Sequence, residues 1–266
     1  MFWNFHKILV ICTGGAMIFS PNTTNRTEME GGGSVVTRSV KHRAEEKPYC
    51  IFLSWDDGPS EGSQSVNELA LKDSLSINVF LIGRNACLTE RSRAMVLEYA
   101  ANPMVEIGNH SFTHANRKYE AFFRDPEVVL ADFNRTRDSL HLTNGLTRLP
   151  GRNFFRLGSF SRNDHNNGKE SADVLAANGY SVFGWDLEWR RKAGHGISTH
   201  TGEAMFQTVG EMLEKKRTFV PGYLVLLLHD QDCRDGHFRD EVEEFIRLAR
   251  ADGRYRFGHL SEMTGN

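Results

Sequence analysis

From Tyr49 onward, short apolar runs alternate with amphipathic stretches of helical period, and this alternation restricts the chain to parallel strands joined by helical crossovers. The strand candidates are residues 49–55, 77–82, 104–108, 146–149, 180–186, 223–229 and 255–257. Between them lie helix candidates at 66–75, 91–101, 126–140, 171–178, 203–216 and 239–251. Pro126 after Asp125 is a good helix opening, because a missing N–H is harmless in a first turn. A distorted, incomplete (β/α)7 barrel fits this order better than an open doubly wound sheet. No G-x-G-x-x-G follows the first strand, which speaks against a dinucleotide site. In a βα barrel, functional residues gather where strand C-termini meet the following loops.

Ahead of this region, residues 1–20 read as a secretory signal peptide or an N-terminal anchor. Lys7 precedes an apolar run, residues 8–19, that is too short to span a bilayer comfortably. Residues 21–47, rich in Asn, Thr, Glu and Gly, read as a flexible linker, and 48–266 as one domain. The expected location is therefore the periplasm, the cell envelope or the extracellular space, with a membrane tether if the leader is retained. A net charge of -2 over 266 residues gives no reason to invoke nucleic acid, and a monomer is expected. Beyond Cys12 in the leader, Cys50, Cys87 and Cys233 form no C-x-x-C pair, which argues against a zinc-thiolate site. One disulfide and one free thiol are compatible with export.

Unusual polar residues fall at the strand ends. The first strand runs into Ser54-Trp55-Asp56-Asp57-Gly58-Pro59. Neighbouring strand side chains point to opposite faces, so the two aspartates are expected to divide their tasks, one toward a metal and one toward a substrate or its water. A turn capped by the two acids is the competing reading. The third strand is followed by Asn109-His110-Ser111-Phe112-Thr113-His114, whose histidines share one face if the segment is a helical turn, within reach of one cation. Arg148-Leu149-Pro150-Gly151 ends the fourth, offering a guanidinium that can orient a carboxylate. Trp185-Asp186-Leu187-Glu188-Trp189 ends the fifth, and the period of two puts both acids on one face. The sixth, Leu224-Val225-Leu226-Leu227-Leu228-His229, is a buried apolar run that delivers an ionisable group to a rim, a placement that suits a catalytic histidine.

In this order the residues resemble the motifs of the polysaccharide deacetylase family, also called the NodB-homology family or carbohydrate esterase family four. Ser54-Trp55-Asp56-Asp57-Gly58-Pro59 is similar to its Thr-Phe-Asp-Asp-Gly-Pro motif. His110-Ser111-Phe112-Thr113-His114 matches His-Ser/Thr-x-x-His, and Leu227-Leu228-His229 matches Leu-x-His. The resemblance implies a NodB-type barrel and one divalent metal, zinc or in some members cobalt, held by Asp57, His110 and His114. It implies Asp56 as general base, oriented by Arg148, and His229 as general acid. Two motifs depart from the family. Gly151 stands where an aromatic follows Arg-x-Pro, and Asp186-Leu187-Glu188-Trp189 replaces Asp-x-x-Asp-Trp, so Glu188 is left to tune the catalytic histidine beside Asp186. Gly151, through its N–H, Trp189 and Leu227 are implied at the substrate. The implied activity is removal of N-acetyl groups from an acetylated envelope or extracellular glycan, such as peptidoglycan or a chitin-like polymer. An O-acetyl esterase and a retired glycan-binding module are the alternatives.

Overall fold

The computed structural model describes residues 49–191 and 199–264. The strands are β1 (Tyr49–Gly58), β2 (Ile77–Leu81), β3 (Val105–Asn109), β4 (Leu146–Thr147), β5 (Phe155–Leu157), β6 (Phe160–Arg162), β7 (Ser181–Val182), β8 (Leu187–Glu188), β9 (Tyr223–His229) and β10 (Tyr255–Phe257). The helices are α1 (Ser63–Lys72), α2 (Gly83–Leu88), α3 (Glu90–Ala101), α4 (Tyr119–Phe122), α5 (Pro126–Leu140), α6 (Lys169–Ala177), α7 (Gly202–Glu214) and α8 (Gly236–Asp252). All seven expected strand positions and all six expected helix positions are occupied. The β5–β6 hairpin, β8, α2 and α4 are additions. Asp125 caps α5 as its sequence suggests, its Oδ1 accepting from the N–H groups of Glu127 and Val128 at 3.2 Å.

The sheet runs β6-β5-β7-β4-β3-β2-β1-β9-β8. β10 pairs with Tyr49–Ile51 of β1, on the edge that β2 takes over from Leu53, because β9 holds the other edge from Cys50 to Asp56. Pairings are parallel except those of β5, as crossovers through helices require. Side chains alternate between two apolar layers. Cys50, Phe52, Phe80, Leu146, Phe183 and Val225 fill the concave interior. Ile51, Leu53, Trp55, Val79, Leu224 and Leu226 pack outward with helical residues such as Val66, Val242 and Phe245. The result is a curled half-barrel, the α/β class expected.

The fifth expected strand, 180–186, is interrupted. Only Ser181 and Val182 pair as β7 beside β4, whereas Leu187 and Glu188 pair as β8 beside β9, toward the far end of the sheet. Residues 183–186 carry the chain across the gap between these two flanks. Their carbonyls do not form a ladder, because Arg148 takes two of them: its Nε donates to Phe183 O at 3.2 Å and its Nη2 to Gly184 O at 3.0 Å. A buried guanidinium thus breaks the strand and links the sheet's flanks.

Cys50, Cys87 and Cys233 are free thiols. No helix among the described residues is long and apolar enough to cross a membrane. The expected leader and linker lie outside the described residues.

Candidate active site

The alternation of β1 turns Asp56 into the barrel, where it is 3 % exposed. By the same rule Asp57 would face outward. Pairing with β2, however, steps from Asp56↔Phe80 to Gly58↔Leu81, so Asp57 is the extra residue of a bulge, at φ 73°. A bulge re-aims its side chain. Here it brings Asp57 to the same rim as Asp56: Nε2 of His110 lies 3.6 Å from Asp56 Oδ2 and 3.5 Å from Asp57 Oδ1. This corrects the expectation of opposite faces. Aspartate tolerates the left-handed region better than most residues. Glycine is required next to it, since a Cβ on Gly58 would lie 2.5 Å from Asp230 Oδ2 and 2.9 Å from Leu81.

The two histidines meet through a turn and not through the helical turn expected. Ser111 sits at φ 64°, and His114, Ala115, Asn116 and Arg117 at 52°, 54°, 46° and 62°. Left-handed residues cost on the order of 1–2 kcal/mol each, so the loop must be held from outside. Asp132 Oδ2 on α5 accepts from the N–H groups of Phe112 and Thr113 at 2.9 and 3.0 Å. Asn109 accepts from Ser111 N–H and donates to Phe133 O, both at 2.9 Å, and Ser111 Oγ accepts from His114 N–H at 3.0 Å. The imidazole centroids end 5.0 Å apart.

The donor atoms of Asp57, His110 and His114 lie within 4.8 Å of one another. Nδ1 of His110 is 2.9 Å from Arg148 O, which can only accept, so Nδ1 carries a proton and Nε2 is the ring nitrogen turned toward Asp57, free to offer its lone pair when the ring is neutral. Asp57 Oδ1 is buried and accepts no aligned hydrogen bond, although Nε2 of His114 is 3.1 Å away. Lone pairs that converge without a donor between them suit a cation, and the two-nitrogen, one-oxygen set suits zinc. The protonation tendencies agree. Burial alone would raise the Asp57 carboxyl, yet the contacts and charge of His110 and His114 outweigh it and hold it well below the usual carboxylate range. Burial would lower His110, but the charges of Asp56 and Asp57 raise it. The cluster draws positive charge.

Arg148, wholly buried, reaches Asp56 through the barrel. Its Nη1 donates to Asp56 Oδ1 at 2.8 Å and to Ser54 Oγ at 2.9 Å. Every nitrogen of the guanidinium donates, which fixes Asp56 Oδ1 and leaves Oδ2 toward the rim. Burial lowers the Arg148 guanidinium from its ordinary value, and Asp56 partly restores it. Ser54 was not singled out from sequence, though its position two residues before Asp56 puts it on the same face. His229 ends β9 in register with Asp56, so the two candidate proton-transfer groups leave the barrel side by side. Glu188 Oε1 lies 3.9 Å from His229 Nε2 and 2.5 Å from Arg190 Nε.

Two sequence assignments change, those of Asp186 and Trp189. Asp186 lies level with Val225, four residues and about 13 Å down the strand from His229. Its oxygens accept from the N–H groups of Phe219 at 2.7 Å and Val225 at 2.9 Å, so its place is structural. Asp186→Ala is expected to lower stability by an amount on the order of 3 kcal/mol, since two buried N–H groups lose a charged acceptor. Metal affinity should stay unchanged, as thermal unfolding and metal titration would show. Trp189, assigned to the substrate, is fully buried between Phe238 and Phe245, with centroids at 5.7 and 5.8 Å. Neighbouring side chains along the strand alternate, so with Glu188 turned toward His229 the indole enters the outer core. Leu227, 2 % exposed, lies in the barrel beneath His229 and pairs with Glu188. Gly151 is exposed, at φ 61°, beside the ring of Tyr119.

Asp230, the neighbour of His229, turns away from it. Fully buried, it accepts from Ser63 Oγ and from Tyr99 Oη, the latter at 3.2 Å. Burial pushes its carboxyl up to about 7, against those hydrogen bonds and aided by Asp57 and Asp56.

Residues 43–159 match a family model described as polysaccharide deacetylase. No curated protein matches the chain. Among solved structures, a family-four carbohydrate esterase from Streptococcus mutans superposes with a TM-score of 0.61 at 18% identity, covering 80% of this chain and 86% of its own. One from Streptomyces lividans, in complex with acetate, gives 0.58 at 19%, covering 82% and 95%. The catalytic domain of a peptidoglycan N-acetylglucosamine deacetylase from Eubacterium rectale gives 0.56 at 18%, covering 80% and 89%. At such identities the structural likeness is one of fold.

Proposed function

Because residues 43–159 match the model of the polysaccharide deacetylase family, we propose that the chain is an exported, metal-dependent hydrolase that removes N-acetyl groups from an envelope or extracellular glycan containing N-acetylglucosamine. The observation that carries this reading is the convergence of Asp57, His110 and His114 beside a carboxylate, Asp56, and an imidazole, His229, that stand outside the ligand set. One protein of this fold is a peptidoglycan N-acetylglucosamine deacetylase, and the substrate class is proposed for this chain by that analogy.

Asp57, His110 and His114 would hold the cation, zinc before cobalt. Bound there, a divalent ion lowers the pKa of water and polarises a carbonyl. Asp56, its Oδ1 fixed by Arg148, takes the proton of the attacking water through Oδ2. His229 gives a proton to the departing nitrogen, which leaves poorly without one. Glu188 supports the imidazolium by charge across 3.9 Å, in the role assigned to it from sequence. Leu227 closes the floor beneath His229.

One observation favours an O-acetyl substrate as a second reading. Arg190 shares Glu188 Oε1 and so weakens the support for an imidazolium that an alcohol leaving group needs less. Acetate release from matched N- and O-acetyl oligosaccharides, followed by mass spectrometry with and without added Zn²⁺, separates the two. Zinc-dependent release from the N-acetyl member is expected. Release from the O-acetyl member alone would hand the site to the second reading.

A further inference from the structure

We propose that Tyr119 is the aromatic wall against which a sugar ring of the substrate packs, in the space that a side chain on residue 151 would otherwise fill. This rests on the glycan reading of the site. A Cβ built on Gly151 would lie 3.5–3.7 Å from three atoms of the Tyr119 ring, so the ring already covers the turn after β4. The same ring meets His114 edge-on with centroids 5.7 Å apart, and its hydroxyl is 3.4 Å from His114 Nδ1. It therefore stands at the lip of the ligand cluster.

Tyr119 is half-buried, packed against the cluster formed by Phe123, Phe133 and Leu149. Its short helix is pinned: Arg152 Nη2 donates to Glu120 Oε1 at 2.7 Å, and Asn167 Nδ2 donates to Glu120 O at 3.0 Å. A ring held in place before ligand arrives costs little to order on binding. Its flat apolar face and polar tip suit the C–H face and hydroxyl rim of a pyranose.

The test is a KM-against-kcat split on an N-acetylglucosamine tetrasaccharide and on p-nitrophenyl acetate, which is too small to span the wall. Tyr119→Leu keeps apolar volume without a planar face. It is expected to raise KM for the tetrasaccharide about tenfold, as for one lost aromatic contact, with a much smaller change for the small ester and with zinc content equal to wild type. Tyr119→Phe and Tyr119→Trp should recover most of the loss. Equal losses on both substrates, loss of zinc in Tyr119→Leu, or a Phe variant as poor as the Leu variant would overturn the proposal, because the residue would then act through His114. If the wild type releases no acetate from either substrate, the hydrolase reading fails. Calorimetric binding of the tetrasaccharide then decides the wall: about tenfold weaker binding by Tyr119→Leu supports it, and equal binding overturns it.

Discussion

Asp57→Gly is expected to abolish stoichiometric metal binding and to lower turnover about a thousandfold or more, while the fold holds or gains slightly in stability. A metal in such a site supplies several kcal/mol of barrier reduction, and about 4 kcal/mol corresponds to a thousandfold. Asp57 is the single oxygen donor of the cluster, and its Oδ1 has no other aligned partner. Glycine at φ 73° removes the donor without adding strain, since the left-handed region costs glycine little. His110→Ala should also lose metal, but less cleanly. It empties a buried position and leaves Arg148 O without its donor, and it sets Asp56 and Asp57 against each other with no imidazole between them. Metal content by mass spectrometry after dialysis, paired with thermal unfolding, reads both variants. One equivalent of zinc retained by Asp57→Gly would count against the ligand set.

His229→Ala and Asp56→Asn should keep the metal and lose about 10²–10⁴-fold in turnover, the usual worth of a positioned acid or base. Their stabilities should differ. His229 is partly exposed at the rim, and its loss leaves no buried group unpaired. Asp56 is the charge partner of a wholly buried guanidinium, so Asp56→Asn leaves Arg148 uncompensated at a cost of about 3–5 kcal/mol. The double variant should lose far less than the product of the single losses, because the two groups serve one proton-transfer sequence. Single-turnover acetate release and unfolding midpoints check both statements. Metal loss in His229→Ala would move that residue into the ligand set.

Much of this site is legible in the sequence because parallel strands place their C-terminal residues on one rim. The phase of β1 and β9 put Asp56 and His229 side by side, and the run of apolar residues before His229 announced a group carried deliberately to the surface. Where the reading failed, the cause was local backbone geometry that periodicity does not encode. The bulge at Asp57 and the left-handed loop around His114 depend on neighbours distant in sequence, Leu81 and Asp230 for one and Asp132 for the other. The division of 180–186 depends on Arg148 capturing two carbonyls, and it carried Asp186 and Trp189 away from the roles that a continuous strand would have given them. Tyr119 left no local signal, since its role follows from where α4 folds over Gly151.

The most direct test is acetate release from an N-acetylglucosamine oligosaccharide by the wild-type chain before chelation, after chelation, and after one equivalent of Zn²⁺ is returned. Release that stops on chelation and returns with zinc in the wild type, but not in Asp57→Gly, is the predicted result. Full release by the chelated protein would contradict it.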